Sequence, residues 1–229
     1  MSFGRRQPLV RATRSPALQP AAEPARDENL QHAANAATEL VAMLLAAYTF
    51  QERLQPESAV AAAAALIGEF ALRATGVALP EKGAVPGDAA NDVLFAGARE
   101  GRPTAWMFMT HGAIEAGVAA FDLPKIEMLA ARIAATIDDG AVPTLSVPER
   151  YVPHEWPLNV GPRFRYRVIA TADTHDLSLR EVTIALAAAA AQIIIRAQHD
   201  MPPLIAVTLA AETMLAMARM APLPEAATV

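Results

Sequence analysis

Four of the five histidines stand beside a carboxylate or one helical turn from it: His111 with Glu115, His154 with Glu155, His175 with Asp176, and His199 with Asp200. Imidazole with carboxylate is the raw material of zinc and non-haem iron sites and of general acid–base pairs. Only His111 and Glu115 have the i,i+4 spacing that sets two side chains on one helical face. Sequence-adjacent pairs such as His154-Glu155 rarely converge on one ion, and the ExxH pairs of di-iron bundles do not occur. The histidines therefore predict no metal centre. His199-Asp200 reads as a helix end, where a cationic imidazole favours the dipole.

A second set of charges is spaced for binding. Arg163, Arg165 and Arg167 alternate with Phe164, Tyr166 and Val168, a period of two that predicts a strand. Three guanidiniums about 7 Å apart on one strand face suit carboxylates, phosphates or an acidic partner surface. The plainer reading pairs them with acids of the same chain. Trp156, between His154-Glu155 and Pro157, is either a recognition anchor or the plug that pins an arm to the rest of the fold. The candidate binding set is His154, Glu155, Trp156, Arg163, Arg165, Tyr166 and Arg167. No catalytic residue, metal or cofactor is assigned.

Composition narrows the classes further. The chain has 229 residues, 53% of them apolar, and no cysteine. That apolar fraction builds a sizeable core and excludes a disordered chain. Zero cysteines exclude disulfide scaffolds, thiolate metal sites and thiol catalysis. The net charge of −5 argues against nucleic acid as a partner. No glycine-rich phosphate loop, HExxH or GxSxG motif occurs. The longest apolar run, 182–195, is shorter than the roughly 20 residues a spanning helix needs. No membrane partner is expected, and the cytoplasm is the expected location. Seventeen arginines against two lysines, with abundant alanine, match the codon bias of a GC-rich bacterial genome.

These residues must be positioned by helices. Residues 1–26 carry five arginines, one acid and four prolines, which predicts a flexible basic arm. A long helix is expected over 27–54, where Leu30, Ala34, Ala37, Val41, Leu44 and Tyr48 share one face. Pro56 opens a second helix and Gly76 closes it, with Val60, Ala63, Ile67 and Phe70 inward and Glu69 and Arg73 outward. Only Gln55 or so separates the two, so an antiparallel hairpin of helices follows. A short helix is expected from Asp88 to Arg99. The segment 104–121 fits a helix better than a buried strand. Another helix runs from Pro124 to Gly140.

From 141 to 175, prolines recur about every five residues, which predicts an extended insertion. Two helices finish the chain, 178–199 and 203–220. The first is apolar all round and so is expected at the centre. In the second, Met214 and Met217 face inward while Glu212 and Arg219 point away.

The expected architecture is mainly α: a bundle of about six or seven helices with a Pro-rich extended arm and at least one short β-strand. One helical domain spans 27–221, between the arm and a tail over 222–229. The expected function is that of a non-catalytic interaction or assembly protein that forms a homo-oligomer or holds a protein partner. The alternative is an enzyme or a small-ligand, anionic-ligand binding protein, with its pocket between the 141–175 arm and the bundle.

Overall fold

The computed structural model describes residues 25–85, 88–138, 141 and 143–224. The predicted N-terminal arm, Gly140 and the last five residues of the predicted tail lie outside them, apart from residues 25 and 26. Eight α-helices follow one another among the described residues: α1 (Ala25–Ala47), α2 (Pro56–Ala74), α3 (Asn91–Leu94), α4 (Ala105–Glu115), α5 (Ile126–Asp138), α6 (Pro157–Thr174), α7 (Leu179–Ala197) and α8 (Pro203–Met217). The mainly α expectation holds.

Two helices make the centre. α7 is buried on nearly every side, as its all-round apolar sequence requires, and packs on α1, α2 and α4. Its start is fixed by Ser178, whose hydroxyl accepts from the Glu181 N–H while Glu181 reaches back to the Ser178 N–H, two otherwise orphaned donors satisfied at once. α2 is equally buried, from Pro56 to Leu72, between α7, α8 and α6. Glu69 therefore does not point outward as its i,i+4 spacing with Arg73 suggested. The opposite face of α2 is covered too.

Alanine and glycine let these helices approach closely. A β-carbon on Gly68 of α2 would fall 2.4 Å from the Met214 carbonyl of α8, and one on Gly112 of α4 would fall 2.7 Å from Ala191 of α7. Both crossings are backbone against backbone.

α1 stops at Ala47, seven residues short of the expected end. Thr49–Phe50 (β1) and Arg53–Leu54 (β2) pair antiparallel, with Thr49 opposite Leu54. The two residues between them, Gln51 and Glu52, both have positive φ (48° and 63°), the backbone of a two-residue hairpin turn. This hairpin, not a one-residue link, joins α1 to α2.

The largest departure lies at 157–174. Residues 143–156 are extended, with one 3-10 turn at Glu149–Tyr151, but the expected strand 164–168 is part of α6. Pro157 is a favourable first helical residue because its missing N–H has no helical partner there. Pro162 does remove one bond, from the position that would bond Leu158. Val160, Phe164, Val168 and Ala172 nevertheless recur every four residues and are all buried. Burial of that stripe outweighs one lost hydrogen bond.

Candidate functional site

The extended segment 143–156 lies across the bundle as a strap, and three polar contacts pin it. At its start the Ser146 N–H donates to Glu212 of α8 at 2.7 Å. The Ser146 hydroxyl and Arg132 of α5 bind the same carboxylate. Near its end the His154 N–H donates to the Ser58 hydroxyl of α2 at 3.4 Å, and the His154 imidazole stands 3.7 Å from Glu57. One residue on, Glu155 accepts from the Tyr48 hydroxyl of α1 at 2.5 Å and from Arg163 at 3.0 Å. Arg163 also lies over the rings of Tyr48 and Phe164. Burial first, and then the bond to Glu155, pushes the Tyr48 hydroxyl well above its ordinary pKa.

Between these pins the strap stands off α8 and leaves a cleft of about 180 Å³. The strap and the start of α6 line it with Pro143, Leu145, Val152, Pro153, Trp156 and Leu158, and α8 and the turn after it with Thr213, Ala216, Met217 and Met220; His154 also lines it, its side chain largely exposed. Trp156, the residue just before α6, is 47% exposed. Among the described residues no lysine or arginine lines the cleft.

One residue of α8 near the cleft carries a buried hydroxyl without a partner. Thr38, Thr110, Thr136, Thr174, Thr183 and Thr208 each donate to the carbonyl four residues earlier, the usual way a helical threonine satisfies its hydroxyl. Thr213 does not. Its side chain is buried, yet its hydroxyl has no hydrogen-bond partner among the described residues. An unpaired buried hydroxyl costs about 1–3 kcal/mol.

The expected binding set is dispersed by the helix. His154 and Trp156 reach the cleft; Glu155 turns the other way, to α1. Arg163 is held by Glu155. Arg165 is buried and donates to Glu69 at 2.5 Å and to the Leu223 carbonyl at 2.7 Å. Tyr166, 76% exposed, and Arg167 lie on the outer face of α6. A strand would have set the three arginines side by side; a helix turns each about 200° from the last.

The other charge clusters stay apart. His111 and Glu115 face each other across 3.9 Å on an exposed face of α4. His175 bonds Glu39 at 2.9 Å. Among the described residues no three His, Asp or Glu side chains converge as metal ligands. Glu57, Ser58 and His154 are neighbours, but the Ser58 hydroxyl meets the His154 backbone N–H, and among the described residues it donates to neither ring nitrogen. The imidazole is thus not placed to take a proton from Ser58.

Thr213 and Glu212 were missed at the sequence level. Glu212 is the one charged residue between Met201 and Ala218, and it is fully buried rather than turned outward. A lone charge in an apolar helix was the available signal. Among the described residues no single helix is long and apolar enough to cross a membrane. No protein-family model, curated protein or solved structure matches this chain.

Proposed function

We propose that this is a cytoplasmic, non-catalytic binding protein that holds a small molecule in the cleft between the strap and α8. The observation that carries this reading is the cleft itself, a space of about 180 Å³ between the strap and α8 lined almost entirely by apolar side chains. Cavities of about 150 Å³ accommodate benzene. The cleft, at about 180 Å³, suits a ring of that size with one small substituent.

The test uses methionines that the fold has already placed. With 13C-methyl methionine, titration with benzyl alcohol should shift Met217 and Met220, which line the cleft, and leave Met107 and Met128, which lie exposed elsewhere. Ala216→Leu, filling the cleft, should abolish those shifts. Shifts spread over all methionines, or none at millimolar probe, would reject the reading.

A second reading, self-association, has one observation in its favour. Tyr166 and Arg167 are side by side and exposed on α6, and Arg167 makes no ion pair or hydrogen bond among the described residues. Tyrosine and arginine are the residues that anchor interfaces. On this reading a second copy of the chain covers α6, and the double variant Tyr166→Ala/Arg167→Ala sediments as a smaller species than wild type. Identical sedimentation removes it.

A further inference from the structure

Resting on the cleft reading, we infer that Glu212 is the positioning residue of the cleft: by holding Ser146 it fixes the side that the strap supplies, and so sets the ligand's affinity without lining the site. Pro143, Leu145 and Pro153 of the strap line the cleft on one side; Ala216, Met217 and Met220 line it from α8 and the turn after it. A ligand that fills the space between them gains contact from both only while the strap is attached. Glu212 itself is fully buried and is not among the lining residues. The residue after it lines the cleft, and so does the residue before Ser146, so the contact between the two carries both sides with it.

The two ends of the strap are held unequally. The far end runs on into α6, whose stripe Val160, Phe164 and Val168 is buried. It also has the contacts of His154 with Ser58 and Glu57 and of Glu155 with Tyr48. From Pro143 to Val152, by contrast, the hydrogen bonds of Ser146 to Glu212 are the only ones to another element among the described residues. Thr144 and Ser146 are exposed there and Leu145 is half-buried, so little burial holds the stretch. Glu212 is fixed by its place on α8 and by Arg132. The near half of the strap is thus the part that detaches, and the paired carboxylate is its latch. A ligand that binds the attached strap opposes detachment by mass action.

In the intact wild-type protein, benzyl alcohol at about ten times its Kd should slow hydrogen exchange of the Ser146 amide about tenfold. The Arg102 amide, which donates to the Gly97 carbonyl at 3.1 Å in the turn before α4 and does not line the cleft, should exchange at an unchanged rate. Glu212→Ala should weaken benzyl alcohol binding about tenfold, because the fraction of protein with its strap attached falls. Glu212→Gln, which keeps an acceptor for the Ser146 N–H, should recover part of that loss. Arg132→Met removes the other partner of the carboxylate and leaves Ser146 bonded, so it should keep wild-type affinity. The exchange measurement needs no variant and decides the question even if Glu212→Ala does not fold.

The failures separate cleanly. If benzyl alcohol shifts Met217 and Met220 but slows Ser146 no more than Arg102, the role assigned to Glu212 is wrong and the cleft reading stands. Binding weakened as much by Arg132→Met as by Glu212→Ala marks a general loss of stability and overturns that role too. If the probe shifts neither methionine, the cleft reading fails and this inference with it.

Discussion

Glu69 of α2 accepts a 2.5 Å hydrogen bond from Arg165 of α6, and both side chains are buried. Arg73 shares the same carboxylate oxygen at 2.8 Å, and the other end of Arg165 holds the Leu223 carbonyl. One carboxylate thus ties α6 and the chain after α8 to the central helix. Breaking such a pair is costly because it strands a buried charge, whereas replacing both partners by apolar residues is far milder. Arg165→Met should lower stability by about 3 kcal/mol in urea denaturation. Glu69→Leu/Arg165→Met should lie closer to wild type than either single change. A double variant less stable than the sum of its singles would contradict this account.

Gly112 and Gly161, like Gly68, stand where a β-carbon would collide with a neighbouring helix. A β-carbon on Gly112 would lie 2.7 Å from the Ala191 backbone, so Gly112→Ala must push α4 off α7. Overpacking of this kind costs about 1–3 kcal/mol. On Gly161 the β-carbon would lie 2.0 Å from the Glu69 carboxylate, a side chain held by two arginines. Gly161→Ala should therefore cost less in a Glu69→Ala background than in wild type, a coupling that a double-mutant cycle measures. Additive costs would mean that Glu69 is free to move aside.

Asp92 governs part of the acid limb of stability. The hydrogen bond from Arg180 of α7 is the main cause of its lowered pKa, opposed in part by burial and helped by the charge of Arg102. A carboxyl with a lowered folded-state pKa binds its proton less tightly folded than unfolded. Its contribution is present in full above the ordinary value near 3.8 and is lost as pH falls through the lower folded-state value. Asp92→Asn should flatten the fall in stability below about pH 4 and lower the plateau above it. A variant whose acid limb overlays wild type would show that Asp92 does not contribute there.

The helices that the sequence made legible are those whose apolar residues recur every three or four positions without competition: α1, α2, α5, α7 and α8. α6 was obscured because Phe164 to Val168 satisfies both a period of two and, through Phe164 and Val168, a period of four, and the prolines favoured the extended reading. Only the longer series Val160, Phe164, Val168 and Ala172 decides between them. The hairpin at Thr49–Leu54 was invisible because Gln51 and Glu52 occupy turn positions usually marked by glycine or asparagine. In the cleft, Trp156 and His154 were foreseeable from their place in the proline-rich strap. Glu212 left one mark, a lone charge in an apolar helix, but not its partner, and Glu69 left none: their burial is set by Ser146 and Arg165, more than 60 residues away along the chain. A polar residue type carries no mark of a distant partner.

The strap's attachment at Glu212 is the point on which the cleft depends. This fully buried carboxylate receives Arg132 from α5 and both the N–H and the hydroxyl of Ser146, and the next residue on α8 is Thr213. Removing the carboxylate frees the strap at Ser146 while His154 and Glu155 still hold its far end. Glu212→Ala should thus abolish protection of the Ser146 amide from hydrogen exchange and lower stability by about 3 kcal/mol, because Arg132 and the Ser146 N–H lose their partner. Glu212→Gln keeps an acceptor for the Ser146 N–H and loses the charge that holds Arg132, so its Ser146 amide should exchange at an intermediate rate. In both variants the Tyr48–Glu155 contact is untouched, and amides near residue 155 should remain as protected as in wild type. If Ser146 stays protected in Glu212→Ala, the strap is held by its apolar contacts alone, and Glu212 serves only to neutralise Arg132.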